Sequence, residues 1–166
     1  MGRPKGLEPV DGEPMLRLHV AAAHAAGLRA RVVLGAASSA HLRVLPPGVE
    51  IVWNPRAART DMATSAALGL EGLPWALLTP VDVPPAHPDT LRALLDHPGP
   101  CVPVYGGQGG HPVRVHARDD GQHPAERLDH RLRDAARIHV GDPAVVRDLD
   151  TPEAWAAWRA ERGATG

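Results

Sequence analysis

Three aspartates stand where apolar runs give out. Asp82 follows Trp75-Ala76-Leu77-Leu78-Thr79-Pro80-Val81 and precedes Val83-Pro84, while Asp148 and Asp150 flank Leu149 ahead of Thr151-Pro152. Carboxylates at strand ends can hold a hard cation such as Mg²⁺ against a phosphate, because the ion neutralises charge that would otherwise oppose reaction at phosphorus. The competing assignments are a cap or turn for Asp82, a turn residue for Asp148 and an auxiliary cap for Asp150. Lys5, in Met1-Gly2-Arg3-Pro4-Lys5, is either a phosphate contact or a solvated lysine near a chain end. Ser65 can donate to a ribose or base, or bond its own backbone. Gly106-Gly107-Gln108-Gly109-Gly110-His111-Pro112 offers backbone that a ligand can approach closely, or else a flexible connection.

These residues need elements that bring them to one edge. The apolar run from Trp75 has the length and composition of a strand buried on both faces of a sheet. Glu13 to Ala26 carries Met15, Leu16, Leu18 and Val20 and stops at Gly27, the pattern of a helix with a terminal glycine. Arg31–Gly35 and Val49–Trp53 are expected as strands, with a helix over 37–45 between them that Pro46-Pro47 ends. A helix over 60–70 comes next, then the central strand, then a helix from Pro88 through Leu95. Strands are expected at Cys101–Tyr105, Pro112–Val115 and Arg137–Val140, a helix at 125–136, and a short extended piece at Val145-Val146. The final helix runs from Pro152 to Glu161 with Thr151 as its N-cap. This alternation predicts a three-layer α/β/α sandwich with a mostly parallel sheet.

Composition narrows the function classes. A chain of 166 residues fits one domain on the usual scale of roughly 100–200 residues. The net charge of −1 supplies no basic field for nucleic acid. Cys101 is the only cysteine, which rules out an internal disulfide and suits a cytoplasmic protein. No window resembles a membrane span. The ten histidines are scattered without metal-binding spacing, and nearly all are expected on the surface.

In order along the chain, Met1-Gly2-Arg3-Pro4-Lys5, Asp11-Gly12-Glu13-Pro14-Met15-Leu16, Asn54-Pro55, Thr64-Ser65, Val81-Asp82-Val83-Pro84, Gly110-His111-Pro112-Val113 and Asp148-Leu149-Asp150-Thr151-Pro152 resemble the MobA-like nucleotidyltransferases. These include the molybdenum-cofactor guanylyl- and cytidylyltransferases. The resemblance implies a Rossmann-like fold that binds an NTP (CTP or GTP) with Mg²⁺ and transfers NMP to a phosphorylated acceptor such as the molybdopterin cofactor, releasing pyrophosphate. It further implies that Lys5 contacts the triphosphate and that Asp82 binds the metal with Asp150 and Asp148. Asn54 and Ser65 fall to the nucleotide, and the loop from Gly107 through Gly110 to His111 to the acceptor side. The family opens with a strand and a glycine-rich loop that have no counterpart before Met1, so a single domain, N-terminally truncated and with its first strand missing, is expected. Gln108 and Gly109 stand where many relatives carry basic residues. A non-catalytic remnant of the same fold, binding a ligand without turnover, is the alternative from another class, and a sugar-phosphate nucleotidyltransferase is a third.

Overall fold

The computed structural model describes residues 4–35, 38–116 and 132–163. Asp11 and Gly12 both take positive φ, 51° and 84°, the primed turn that joins two strands through two residues. They connect β1 (Pro9–Val10) to β2 (Glu13–Pro14). Helix α1 (Met15–Ala25) therefore starts later than the Glu13 expected from the sequence, because Glu13 and Pro14 belong to the hairpin. It buries Met15, Leu16 and Val20. Gly27, at φ 79°, closes it: its N–H donates to the His24 carbonyl and that of Leu28 to Ala23, the paired bonds of a glycine C-cap.

β3 (Arg31–Gly35) and β4 (Glu50–Asn54) pair in parallel, Arg31 opposite Glu50 and Gly35 opposite Asn54. Between them lies α2 (Ser39–Val44). Helix α3 (Met62–Leu70) begins after Asp61, whose carboxylate accepts from the Thr64 N–H at 2.9 Å and its hydroxyl at 2.8 Å. That cap satisfies a donor the first turn leaves free and sets the helix start. Gly69 allows α3 to lie close on β3, where a Cβ would come within 2.8 Å of Val33 Cγ2.

β5 (Trp75–Leu78) ends at Leu78, and Asp82 lies in the turn beyond it. Next come α4 (Pro88–Asp96), β6 (Cys101–Tyr105), β7 (Gln108–Gly109), β8 (Val113–His116) and β9 (Ala136–His139). β8 is antiparallel to both β5 and β6, β7 is antiparallel to β6, and β9 is parallel to β6. The chain turns back at Gly106 and Gly107, both at positive φ, so β8 enters the sheet against the direction of its neighbours. Pairing is accordingly mixed.

Alternate side chains of β5 face opposite layers. Ala76 and Leu78 pack with Leu70 of α3 and with Val113 and Val115. Leu77 packs on the other side with Ala22 of α1, with Ala26 just past its end and with Leu91 from α4. This is the three-layer α/β/α arrangement. A third cluster joins Val10, Met15 and Leu149 to Trp155 and Trp158 of α5 (Pro152–Gly163), and Thr151 caps that helix by accepting the Ala154 N–H at 3.1 Å.

Two segments differ from expectation. Pro143–Val146 is a 3-10 turn, not an extended piece, because Asp142 accepts the Ala144 N–H at 3.0 Å and Pro143 favours a helical start. Of the helix expected over 125–136, residues 125–131 lie outside the described residues, 132–134 form a turn, and Ala136 already belongs to β9. Met1, Gly2 and Arg3 and the polar loop expected at 118–124 also lie outside the described residues. Among the described residues no ladder joins β3 to β5, so each keeps one unpaired edge, and all four residues of β5 remain half-buried.

Candidate active site

The first turn after Pro4, a 3-10 turn over Lys5–Leu7, aims Lys5 back into the molecule. Its ammonium donates to Asp82 Oδ2 at 3.1 Å and to Asp150 Oδ1. Lys5 is thus half-buried, 28% exposed, and the solvated-lysine alternative is excluded. Both hydrogen bonds raise its pKa, that to Asp150 first, against an opposing effect of burial. Lys5 in turn holds the Asp150 carboxyl below the ordinary carboxylate value. Asp148 is pushed upward, by burial first and then by the negative charge of Asp150 beside it.

The backbone explains why these acids meet. Leu149 is fully buried while Asp148 and Asp150 on either side are exposed, an alternation that turns both carboxylates outward. The Leu149 N–H donates to the Asp82 carbonyl at 2.9 Å. Asp82 is not a helix cap, since His87 takes that position at α4.

Gly6 brings the Lys5 turn onto its neighbours: a Cβ there would lie 3.3 Å from the His41 ring and 3.4 Å from Val81 Cγ2. Three histidines line this region, contrary to the expectation of surface positions. His19 of α1 faces the backbone of Val83 and Val81, and burial lowers its pKa to about 4. His41 is lowered by burial too. His111 lies against Leu78 and feels the charge of Asp82, yet burial dominates and also lowers it. Each keeps a buried ring nitrogen without a partner among the described residues: Nε2 of His19, Nδ1 of His41 and Nδ1 of His111. The signal for His19 was available, because it stands four residues after Met15 on the buried helix face.

Gly110 and His111 belong to a pinned β-hairpin rather than a flexible connection. The Gly110 N–H donates to the Pro103 carbonyl at 2.9 Å and the His111 N–H to that of Val145 at 2.7 Å. A Cβ on Gly110 would fall 1.9 Å from the Val145 oxygen, so the close approach there is to this chain's own backbone.

Asn54 and Ser65 form a second group. Asn54, 2% exposed, closes β4 and donates to Ser65 Oγ at 2.9 Å and Thr60 Oγ1 at 3.1 Å, while its Oδ1 accepts the Arg56 N–H at 3.0 Å. Ser65 accepts in this bond, which leaves its own proton to donate. α3, which packs on β3, β4 and β5, connects this group to the strand that leads to Asp82.

Residues 1–149 match the model of the MobA-like NTP transferase domain. The chain belongs to that family, a family of nucleotidyltransferases. The structure of Rv0371c from Mycobacterium tuberculosis H37Rv is similar at TM-score 0.77 and 22% identity, over 96% of this chain and 90% of that one. A nucleotidyl transferase from Methanothermobacter thermautotroptrophicus (Mth528) superposes at TM-score 0.80 and 20% identity, over 98% and 86% of the two chains. Rv0371C in complex with manganese matches at TM-score 0.74 and 25% identity, over 96% and 93%. No curated protein sequence matches the chain. Lys5 and Asp82 fall within the matched range, and Asp150 lies one residue past it.

Proposed function

We propose that the protein transfers the NMP group of CTP or GTP to a phosphorylated small-molecule acceptor, such as the molybdopterin cofactor, with release of pyrophosphate and dependence on Mg²⁺. One observation carries the reading: Asp82 and Asp150, from separate parts of the chain, converge on a single positive charge, the Lys5 ammonium. The donor set suits a hard cation, being carboxylate oxygen alone. Among the described residues no three His, Cys, Asp or Glu side chains group to hold an ion by themselves. That is the ordinary condition of a Mg²⁺ site, where one or two carboxylates act with water and substrate phosphate. Asp82 and Asp150, with Asp148 beside them, would hold the ion. When bound it would neutralise charge on the reacting phosphate. The manganese in the Rv0371C complex supports a divalent cation for this fold.

The remaining roles follow from the chain's own groups. Lys5 exchanges its carboxylate partners for phosphate oxygens, and its raised pKa keeps it charged throughout the neutral range. Ser65, oriented by Asn54, donates to the nucleoside. Gly110 and His111 stand on the acceptor side. Residues 1–166 form one domain in this reading, supported by a family match that runs over residues 1–149 without interruption. A cytoplasmic location is supported by the single free cysteine, Cys101. Among the described residues no helix is long and apolar enough to cross a membrane.

A non-catalytic binding protein of the same fold is the second reading, favoured by the direct contact of Lys5 with both Asp82 and Asp150. Pyrophosphate release from each NTP, with Mg²⁺ and a molybdopterin acceptor, separates the two. Turnover that Asp82→Asn abolishes supports the transferase, while nucleotide binding without pyrophosphate release supports the binding protein.

A further inference from the structure

Leu149 has both backbone groups engaged, and each bond acts on one of the flanking aspartates. Its N–H, in the peptide that leaves Asp148, donates to the Asp82 carbonyl at 2.9 Å. Its carbonyl, in the peptide that enters Asp150, accepts the indole N–H of Trp155 at 2.7 Å in a buried bond. Trp155 is 2% exposed and lies in the apolar cluster with Val10, Met15, Leu149 and Trp158. Any large apolar side chain could fill that volume. Tryptophan also brings a hydrogen-bond donor into it, and a buried indole N–H usually has a partner.

We propose that Trp155 is a positioning residue for the cation site: its indole N–H fixes the peptide plane from which Asp150 projects, and so sets where the Asp150 carboxylate meets that of Asp82. The inference rests on reading Asp82 and Asp150 as the cation-binding pair. Without the indole N–H the buried Leu149 carbonyl loses its partner, and the Leu149–Asp150 peptide is free to rotate toward another acceptor geometry. Groups that orient a metal ligand in this way commonly change affinity by about 10–100-fold when removed.

The test uses the full chain, Mn²⁺ alone as the probe, and two readouts. Free Mn²⁺ is measured by electron paramagnetic resonance, and amide hydrogen exchange at Leu149 is followed without metal. Trp155→Phe is expected to weaken Mn²⁺ binding roughly tenfold and to accelerate exchange at Leu149. Trp158→Phe, which trims the same cluster at a ring 6.0 Å away, is expected to leave both nearly unchanged. If Trp155→Phe fails to fold, replacing the Trp155 indole with its benzothiophene isostere removes the N–H while preserving the bicyclic shape. Equal effects of the 155 and 158 changes, with Mn²⁺ binding still abolished by Asp82→Asn, would overturn the positioning role and leave the cation site standing. Mn²⁺ binding that ignores Asp82→Asn would overturn both.

Discussion

Lys5 and Asp150 each favour the charged form of the other, and the signs define where the contact holds. The Asp150 pKa is depressed below its ordinary 3.8, so its contribution is present above about pH 4 and is lost as pH falls through the folded value. The Lys5 pKa is raised above 10.5, so its contribution is present below that pH and is lost as pH rises through the folded value. Lys5→Ala should therefore weaken NTP far more than the nucleoside at neutral pH, measured by titration calorimetry, and equal losses would show that Lys5 does not read phosphate. His19 acts at a different pH. Its value falls from 6.5 to about 4, so stability is complete above pH 6.5 and declines as pH drops toward 4, by at most roughly 3 kcal/mol. Urea midpoints measured from pH 7 to 4 should fall less in His19→Gln than in the parent. Residue types alone left Lys5 open between a phosphate contact and a solvated side chain, and the aspartates between metal ligands and caps or turns; their grouping was expected from the family resemblance, and the structure brings Lys5 to Asp82 and Asp150. His41 and Trp155 were not legible, since what matters about them is the distant backbone or side chains they touch, while of His19 only its place on the buried helix face could be read.

At the scale of elements, local signals sufficed wherever the chain carried its own punctuation. Gly27, Pro88 and the Thr151-Pro152 pair marked helix ends that the structure retains. The antiparallel entry of β8 was not legible, because a strand's direction depends on the hairpin at Gly106-Gly107 and on which edge remains available, not on its own residues. The turn at Pro143–Val146 likewise owes its form to Asp142, which also accepts the His87 N–H at 2.7 Å and the Thr90 hydroxyl at 3.0 Å. That turn is packed against Gly110, so the hairpin through Gly106-Gly107 and the approach to Asp148 form one unit. Gly110→Ala should force the two apart, costing about 1–3 kcal/mol by overpacking. The expected result is a lower unfolding temperature together with weaker divalent-cation binding. A destabilised variant whose cation affinity is unchanged would show that the two segments are not coupled.

On the scale of the whole molecule, among the described residues β3 and β5 each have a strand partner on one edge alone, and Val32, Val33, Trp75, Ala76, Leu77 and Leu78 are only half-buried. A strand docked along those edges would bury some four or five side chains at roughly 1.5–3 kcal/mol each. Their sum, on the order of 10 kcal/mol, is comparable with the entire stability of a typical domain. The layer order was legible from the alternation of elements, whereas the open edges follow only from the list of strand partners.

The beginning and the end of the chain are fastened together beside the reactive groups. Arg162 reaches Asp11 at 2.8 Å and Arg159 reaches Glu8 at 3.4 Å, over the cluster formed by Val10, Met15, Trp155 and Trp158. Lys5 and Asp150 lie 145 positions apart, so the contact that completes the site is among the most non-local in the fold, the kind that forms slowly because loop closure precedes its reward. A nascent chain that stops short of Asp150 has made neither Arg159 nor Arg162 and cannot close the clasp. The nascent chain can pair β3 with β4 and β5 with β8, yet its lysine has no second carboxylate and its hairpin no helix to rest on. Closure of the Lys5–Asp150 contact and of the clasp therefore waits for Asp150 and α5, and a protease that removes α5 should return the molecule to an unclasped condition.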